Sequence, residues 1–573
     1  MAPPDSTPAP PFAAWTRSWT PTLLLIFGVM ALRLLYLAFV CPYALIEDEA
    51  HYWEWARRPA LSYYTKGPGI AWAIGAGVNV FGDTAFGVRA PAAVFGAIAA
   101  YFIARLAREV SGDKRAGFFA AAVFHLVPLF QALGLLMTID GPYVACWAAA
   151  CFYGYRALVR GSFPAWPMLG VTIGAGFLFK YTMLLFPPAL LLFAIVARKR
   201  LQLSGRVGVG LLLSVITFVL VVSPVILWNV QNDYATVRHL LGHLGLPGGD
   251  IPPEQSQHAT GYRYDVRWTL EFIGIQALLV GPALLLAFYS AARAWRGNLA
   301  DPRWPGRLYL IVLAAPMLLF YLSVSFLTRV EGNWPAAGYV SLIALAGWGV
   351  VDGMTTYTKR VYRWNRLPEP RPRRGILRDK PETHRQIAWH FTIGVGLVSG
   401  LGMLRADWLA SGVEGLARAV DADVTADQLI GRLTSAPDVA ESIQTRRASF
   451  AEQLGDEPLL IGQHYGRASL LAFYLPDRPR VYCASSYLMG RRTQYDYWPD
   501  TSLSDLDQLA GRDALLIGGT EGQWADAFER IEFLGPIEGD HKDGRFHYLG
   551  FGYRGFYVDR ADPADGPTDV PAD

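Results

Sequence analysis

Apolar runs of membrane-spanning length recur along the first 405 residues, near 21–40, 87–106, 116–136, 140–158, 165–180, 181–197, 207–228, 268–291, 308–327, 335–353 and 389–405. A helix needs about 20 mostly apolar residues to cross the hydrocarbon layer, so the pattern predicts about 11 transmembrane helices. The stretch 165–197 is too long for one crossing, and Lys180 with Pro187-Pro188 divides it into two short helices. Beyond 405 the pattern changes. Short apolar strands at 458–461, 480–483, 514–517 and 546–548, with helical patterns at 439–454 and 505–509, predict a soluble α/β domain over 406–560. The Pro-rich 1–20 and the segment 561–573 read as disordered tails. The first tail lacks a cleavable-signal pattern, so the first apolar run is expected to remain as an anchor. The predicted fold class is a polytopic α-helical membrane protein, membrane-embedded over 21–405, with a C-terminal soluble α/β domain. No internal repeat is visible.

Composition agrees with that class. The chain is 52% hydrophobic and 17% charged, against roughly 25% charge in ordinary soluble domains. The net charge of +3 hides an asymmetry: from Arg405 to Asp573 there are 28 acidic and 16 basic residues, and in the remainder 20 and 35. No basic stripe stands on a soluble fold, which argues against a nucleic-acid partner. Lys and Arg gather in alternate loops: Arg105, Arg108, Lys114 and Arg115, then Arg156 and Arg160, then Arg198 to Arg206, then Arg293 to Arg307. The loop 353–388 is the richest, with ten Lys or Arg residues between Lys359 and Arg385. Cytoplasmic loops carry this excess. The N-terminus and the 353–388 loop are therefore expected inside. The segments 41–86, 229–267, 328–334 and 406–573 are expected outside.

Functional chemistry is sought on that outer side. Glu47, Asp48 and Glu49 follow the first apolar run and lead straight into His51, Tyr52, Trp53 and Trp55. The rings suit an amphipathic helix lying in the membrane interface, and 70–82 suits a second. Carboxylates in a first helical turn also cap it, a reading that covers Glu47 better than Asp48. Asp140 opens the fourth run, Lys180 marks the corner between the fifth and sixth, and Arg329, Glu331 and Asn333 fill the short turn before the tenth. Charges at the membrane rim are costly and normally paired. Carboxylates beside cations suit a phosphate-bearing substrate: the cations hold the phosphate, and a carboxylate takes a proton or holds a metal. Arg33, within the first run, must face protein or water.

The motifs Asp48-Glu49-Ala50-His51-Tyr52-Trp53, Tyr63-Tyr64-Thr65-Lys66-Gly67-Pro68, Phe81-Gly82 with Val88-Arg89-Ala90-Pro91-Ala92, Met137-Thr138-Ile139-Asp140, Lys180, and Glu331-Gly332-Asn333-Trp334-Pro335 stand in this order across about the first 350 residues. This set resembles the membrane-embedded C-type glycosyltransferases. These include the protein O-mannosyltransferases, the aminoarabinose transferases acting on lipid A, and the rhizobial galacturonosyltransferase-like group. Thr65 stands where the aminoarabinose transferases have an acidic residue before the lysine. The resemblance implies inverting transfer of a sugar from a polyprenyl-phosphate donor to a lipid, glycan or protein acceptor, at the outer face of a bacterial inner membrane. It implies catalytic roles for Asp48, Asp140 and Glu49, and donor-phosphate binding by Lys66, Lys180, Arg89 and Arg329. It further implies substrate contacts from Tyr52, Tyr64 and Asn333. A divalent cation stays open as a cofactor, with no metal ligands assigned.

Two other readings compete. A transporter or flippase of lipid-linked sugars would also carry buried charges, but near the midplane and with inverted repeats. A membrane scaffold would leave the crowded outer charges unexplained. In the tail, Arg491, Arg492, Tyr495, Tyr497 and Trp498 form an aromatic-basic cluster that suits sugar contact or a plain surface loop. Cys146 and Cys151 read as packing residues, and Cys41 and Cys483 allow an outer disulfide.

Overall fold

The computed structural model describes residues 18–201, 205–243, 248–250, 264–296, 303–365, 381–419, 425–540 and 545–556. Residues 1–17 of the first expected tail, all of the expected tail 561–573 and the centre of the basic 353–388 loop lie outside these residues. The chain forms two compact units. One comprises Met1–Cys41, Ala76–Pro224 and Arg263–Arg405, and the other Pro42–Gly75, Val225–Tyr262 and Ala406–Asp573. The three long segments that loop charge assigns to one side thus fold with one another.

The first unit is helical, and the protein is a polytopic α-helical membrane protein. Seven helices among the described residues are long and apolar enough to cross a membrane: Thr20–Phe39, Ala85–Ser111, Val207–Gln231, Val266–Ala292, Trp304–Val324, Ala336–Met354 and Gln386–Leu404. Shorter helices occupy the other predicted runs. The run 116–136 is broken at Val127-Pro128 into Lys114–Leu126 and Pro128–Ala132. The run 165–197 divides as expected: the Ala165–Phe179 helix stops at an extended Lys180, a 3-10 turn covers Tyr181–Leu185, and Pro187-Pro188 opens Phe186–Ala197.

Small residues set the helix spacing, as they do where lipid offers no hydrophobic driving force. A Cβ on Gly170 would lie 2.0 Å from the Ser214 carbonyl oxygen, and one on Gly174 would lie 2.8 Å from Val221 Cβ. At that close approach Ser214 Oγ donates to the Trp166 carbonyl at 2.6 Å, and Thr217 Oγ1 to that of Pro167 at 3.0 Å. Arg33 finds its partner inside this unit. It donates to the Phe130 carbonyl at 3.3 Å and lies in space left by Gly96 and Gly134.

The second unit is built on a five-stranded sheet of order β2-β1-β3-β5-β4. Its strands are β1 (Leu459–Gly462), β2 (Tyr482–Cys483), β3 (Ala514–Ile517), β4 (Phe528–Pro536) and β5 (Phe546–Tyr553). β1 runs parallel to β2 and β3, with Leu460 opposite Leu515, while β5 is antiparallel to both β3 and β4. β1 and β3 are buried throughout, as continuous apolar runs should be. Leu459, Ile461, Leu516, Trp524, Phe528 and Tyr548 form the core on one side of the sheet. β4, absent from the predicted strands, is a half-exposed edge whose Glu529, Arg530 and Glu532 discourage further pairing.

Candidate functional site

In the second unit the acidic cluster opens the Glu47–Arg57 helix, which packs on the Tyr465–Tyr474 helix between β1 and β2. Residues at helical spacing meet across this pair. His51 Nδ1 lies 3.2 Å from Ser469 Oγ, the His51 ring is 4.5 Å from that of Tyr465, and Trp53 meets Phe473 edge-on at 4.9 Å. Gly466 makes the approach feasible, since a Cβ there would lie 2.6 Å from Glu47 Cβ. The predicted helix therefore exists, but its rings serve a protein core rather than an exposed interfacial face: Trp53 and Trp55 are each 1% exposed. Burial holds the His51 imidazole down to about 3, so it is neutral.

The three carboxylates part company. Glu49, fully buried, accepts the Ile46 N–H at 3.1 Å and caps the helix, the role the sequence suggested for Glu47. Glu47 pairs instead with Arg432 at 3.3 Å. Asp48 is half-buried, and Tyr465 Oη donates to its Oδ1 at a long 3.4 Å. Burial raises the Asp48 pKa above the ordinary carboxylate value and Glu47 adds to the rise, while Arg432, Lys66 and Tyr465 oppose it. Lys66 thus belongs to the surroundings of Asp48. Tyr465 and Arg432 carry no motif. The signal that could have flagged Tyr465 is its place just beyond the carboxyl end of a buried strand.

Tyr52 and Tyr64 are largely enclosed, 8% and 2% exposed. Tyr64 donates its hydroxyl to Asp250, meets His239 Nδ1 at 2.9 Å and stacks on Tyr497 at 4.8 Å. Tyr495 and Trp498 are likewise buried, with Tyr495 stacked on His51 and Trp498 under Arg58. Of the aromatic-basic cluster of the tail, Tyr495 and Trp498 are thus packing residues, while Arg491 is exposed and Arg492 and Tyr497 are half-buried. All four cysteines are free thiols, so the Cys41–Cys483 disulfide is not formed.

In the helical unit Asp140, Lys180 and Asn333 come together. Lys180 Nζ lies 2.8 Å from Asp140 Oδ1, and Asn333 Nδ2 donates to Asp140 Oδ2 at 2.6 Å. The Asp140 and Lys180 side chains are 3% and 11% exposed, and the ammonium lies 5.7 Å from the Tyr143 ring centre. Local sequence sets each position: Asp140 begins the Asp140–Leu158 helix, Lys180 sits at a helix break, and Asn333 lies in the turn before Ala336. Arg329 does not join them; its exposed guanidinium pairs with Glu271 at 2.9 Å. Arg89, buried near the start of Ala85–Ser111, donates to Cys41 Sγ at 3.7 Å. Among the described residues no group of three or more His, Cys, Asp or Glu side chains is placed to hold a metal ion.

Comparison with known proteins agrees with this architecture. Residues 65–228 match the family described as dolichyl-phosphate-mannose-protein mannosyltransferase. The chain is 26% identical to the lipid A galacturonosyltransferase RgtD of Rhizobium johnstonii over 57% of its own length and 64% of that protein. It is 25% identical to an undecaprenyl phosphate-alpha-4-amino-4-deoxy-L-arabinose arabinosyl transferase of Pseudomonas fluorescens over 61% of its own length and 63% of the relative. The chain thus spans just under two thirds of these curated relatives. Its fold is that of ArnT from Cupriavidus metallidurans, solved bound to undecaprenyl phosphate. The TM-score is 0.58 at 16% identity, over 93% of this chain and 98% of that one. The sequence resemblance to the membrane C-type glycosyltransferases therefore extends to the fold.

Proposed function

We propose that this chain, which shares the fold of the C-type membrane glycosyltransferases, transfers a sugar from a polyprenyl-phosphate donor to a glycolipid acceptor. The observation that carries this reading is the division of labour among its acids. Asp48 has one long hydrogen bond and a raised pKa, whereas Asp140 is tied at both oxygens to Lys180 and Asn333. A general base must be free to accept a proton and have a pKa nearer the working pH. Asp48 meets both conditions. It would take the proton of the acceptor hydroxyl as that oxygen attacks the anomeric carbon from the face opposite the phosphate, inverting the centre. The lipid phosphate leaves with the bonding electron pair. Within the helical unit, Lys180, oriented by Asp140, is a fixed cation of the kind that suits a phosphate oxygen.

Undecaprenyl phosphate as the carrier and lipid A as the acceptor are supported by the likeness to a lipid A galacturonosyltransferase, to an undecaprenyl phosphate-aminoarabinose transferase, and to the fold of ArnT solved with undecaprenyl phosphate. Likeness to bacterial relatives supports placement in a bacterial inner membrane, and loop charge supports a cytoplasmic N-terminus and an outer second unit. On this proposal the membrane part is built on 21–405, of which Pro42–Gly75 and Val225–Tyr262 fold with the tail, 353–388 is a cytoplasmic loop, and 406–560 forms the extracytoplasmic domain. The test is transfer by purified, liposome-reconstituted protein supplied with radiolabelled polyprenyl-phosphate sugars and lipid A. Wild type is expected to label the acceptor, and Asp48→Asn to lose transfer while inserting normally. Near-wild-type transfer by Asp48→Asn would remove Asp48 from the chemistry.

A further inference from the structure

The carboxyl ends of β1 and β3 open onto a polar cavity of about 200 Å3, walled by Glu47, His464, Arg467, Thr520, Gln523 and Arg545. Its place follows from the topology. β1 leads through the Tyr465–Tyr474 helix to β2 on one side, whereas the chain leaving β3 moves the other way, to edge strand β4. Adjacent parallel strands with diverging connections leave a crevice beyond their carboxyl ends, and open α/β sheets bind ligands there. At the mouth Gly518 and Gly519 run at φ +85° and +80°, a conformation that favours glycine and keeps the rim free of side chains.

Two guanidiniums meet at the cavity. Asp540, only 3% exposed, pairs with both Arg467 at 2.8 Å and Arg545 at 3.3 Å. Glu47 pairs with Arg432 at 3.3 Å and also attracts Arg467 through space. Burial, with the nearby guanidiniums, holds the His464 pKa below its ordinary value, while Glu47 opposes the shift. Guanidinium forks suit carboxylate and phosphate oxygens, while Glu, Gln and Thr side chains suit hydroxyls. The volume falls below the ~300–1,000 Å3 of pockets for drug-sized ligands, which favours one ring over an oligosaccharide.

We propose that this cavity binds a single anionic sugar ring, its carboxylate or phosphate held by Arg467 and Arg545 and its hydroxyls by Glu47, Gln523 and Thr520. Asp48 and Tyr465 each follow a cavity residue directly in sequence, on the two packed helices. Assigning the ring to the acceptor rests on the transferase reading above; the binding itself does not.

The test titrates full-length detergent-solubilised protein, without donor, by isothermal calorimetry. The probes are glucuronate, glucose 1-phosphate, glucose and inorganic phosphate. At least one anionic sugar is expected to bind about tenfold or more tightly than glucose, and which one binds distinguishes carboxylate from phosphate. Arg545→Gln should weaken that binding by about tenfold or more, through loss of a charge-assisted fork. Thr520→Trp, an exposed rim change, should block the mouth with unfolding unchanged. Four results would overturn the proposal: no binding of either anionic sugar, glucose binding as well as they do, both variants binding like wild type, or inorganic phosphate binding as tightly as the preferred anionic sugar, because the ring would then go unread. Sugar binding by a wild-type protein that transfers nothing would sink the transferase reading and leave this site standing.

Discussion

Replacing Lys180 by Met would leave Asp140 as an uncompensated charge in a site where its side chain is 3% exposed. Removing one partner of a buried ion pair costs about 3–5 kcal/mol, because the surviving charge keeps its desolvation penalty. Here Asn333 still donates to Asp140 Oδ2, and a hydrogen bond to a charged group recovers about 1.5–3 kcal/mol at most. The net loss should therefore be about 2 kcal/mol, within about 0–3.5 kcal/mol set by those two terms. Asp140→Asn strands the ammonium in the same way. The double variant, with no charge left, should be more stable than the sum of the singles by about 1–3 kcal/mol, the coupling expected of residues in contact. Thermal unfolding of all four proteins in one detergent, followed by tryptophan fluorescence, reads the cycle. Transfer assays on the same samples add the functional half: the double variant should be folded and inactive, since the phosphate clamp is gone. Additive destabilisation would refute the pair as a structural unit. Strong transfer by the double variant would refute its role at the phosphate.

The packing of the Glu47–Arg57 helix gives a second prediction. Gly466→Ala drives a methyl to within 2.6 Å of Glu47 Cβ, so it should cost about 1–3 kcal/mol, the usual penalty of overpacking. Limited proteolysis of the C-terminal unit would detect the loosening, and unchanged resistance would argue against the close helix crossing. A third prediction concerns pH. If Asp48 acts as the carboxylate base, transfer falls as pH drops through its pKa; since that pKa is raised, the acidic limb should lie above the ordinary Asp range. Tyr465→Phe removes a hydrogen bond that favours the carboxylate, so it should move the limb to still higher pH. A limb at the ordinary Asp value, or a shift downwards in Tyr465→Phe, would contradict this account.

Much of the fold was legible in the sequence because its signals were local. The break at Lys180 could be foreseen, since a charged residue and two prolines interrupt one apolar run. β1 and β3 were legible as short unbroken apolar segments. β4 was not, because an edge strand with Glu529, Arg530 and Glu532 facing solvent carries no such run. The reading of Trp53 and Trp55 as interfacial failed for a different reason. Aromatic rings beside charges suit a membrane surface and a protein core equally, and only the partner helix Tyr465–Tyr474, more than 400 residues away, decides between them. Cap assignment slipped by two residues because the helix begins at Glu47 after Ile46, which offers no polar cap to mark the start.

The same distinction between local signal and tertiary partner bears on which acid acts. Sequence density groups Glu47, Asp48 and Glu49 as equals, and the resemblance adds Asp140. Chemistry requires a carboxylate that can both lose and regain a proton, and each committed oxygen lowers that capacity. Glu49 is committed to the Ile46 N–H, Glu47 to Arg432, and Asp140 to Lys180 and Asn333. Asp140 is also the carboxylate that holds the buried Lys180 ammonium, at 2.8 Å. For Asp48 the balance runs the other way. Burial and Glu47 already favour its neutral form, and Lys66 and Arg432 keep the anion within reach. On the proposed reaction, Asp140 is therefore a positioning residue for Lys180, and proton transfer falls to Asp48.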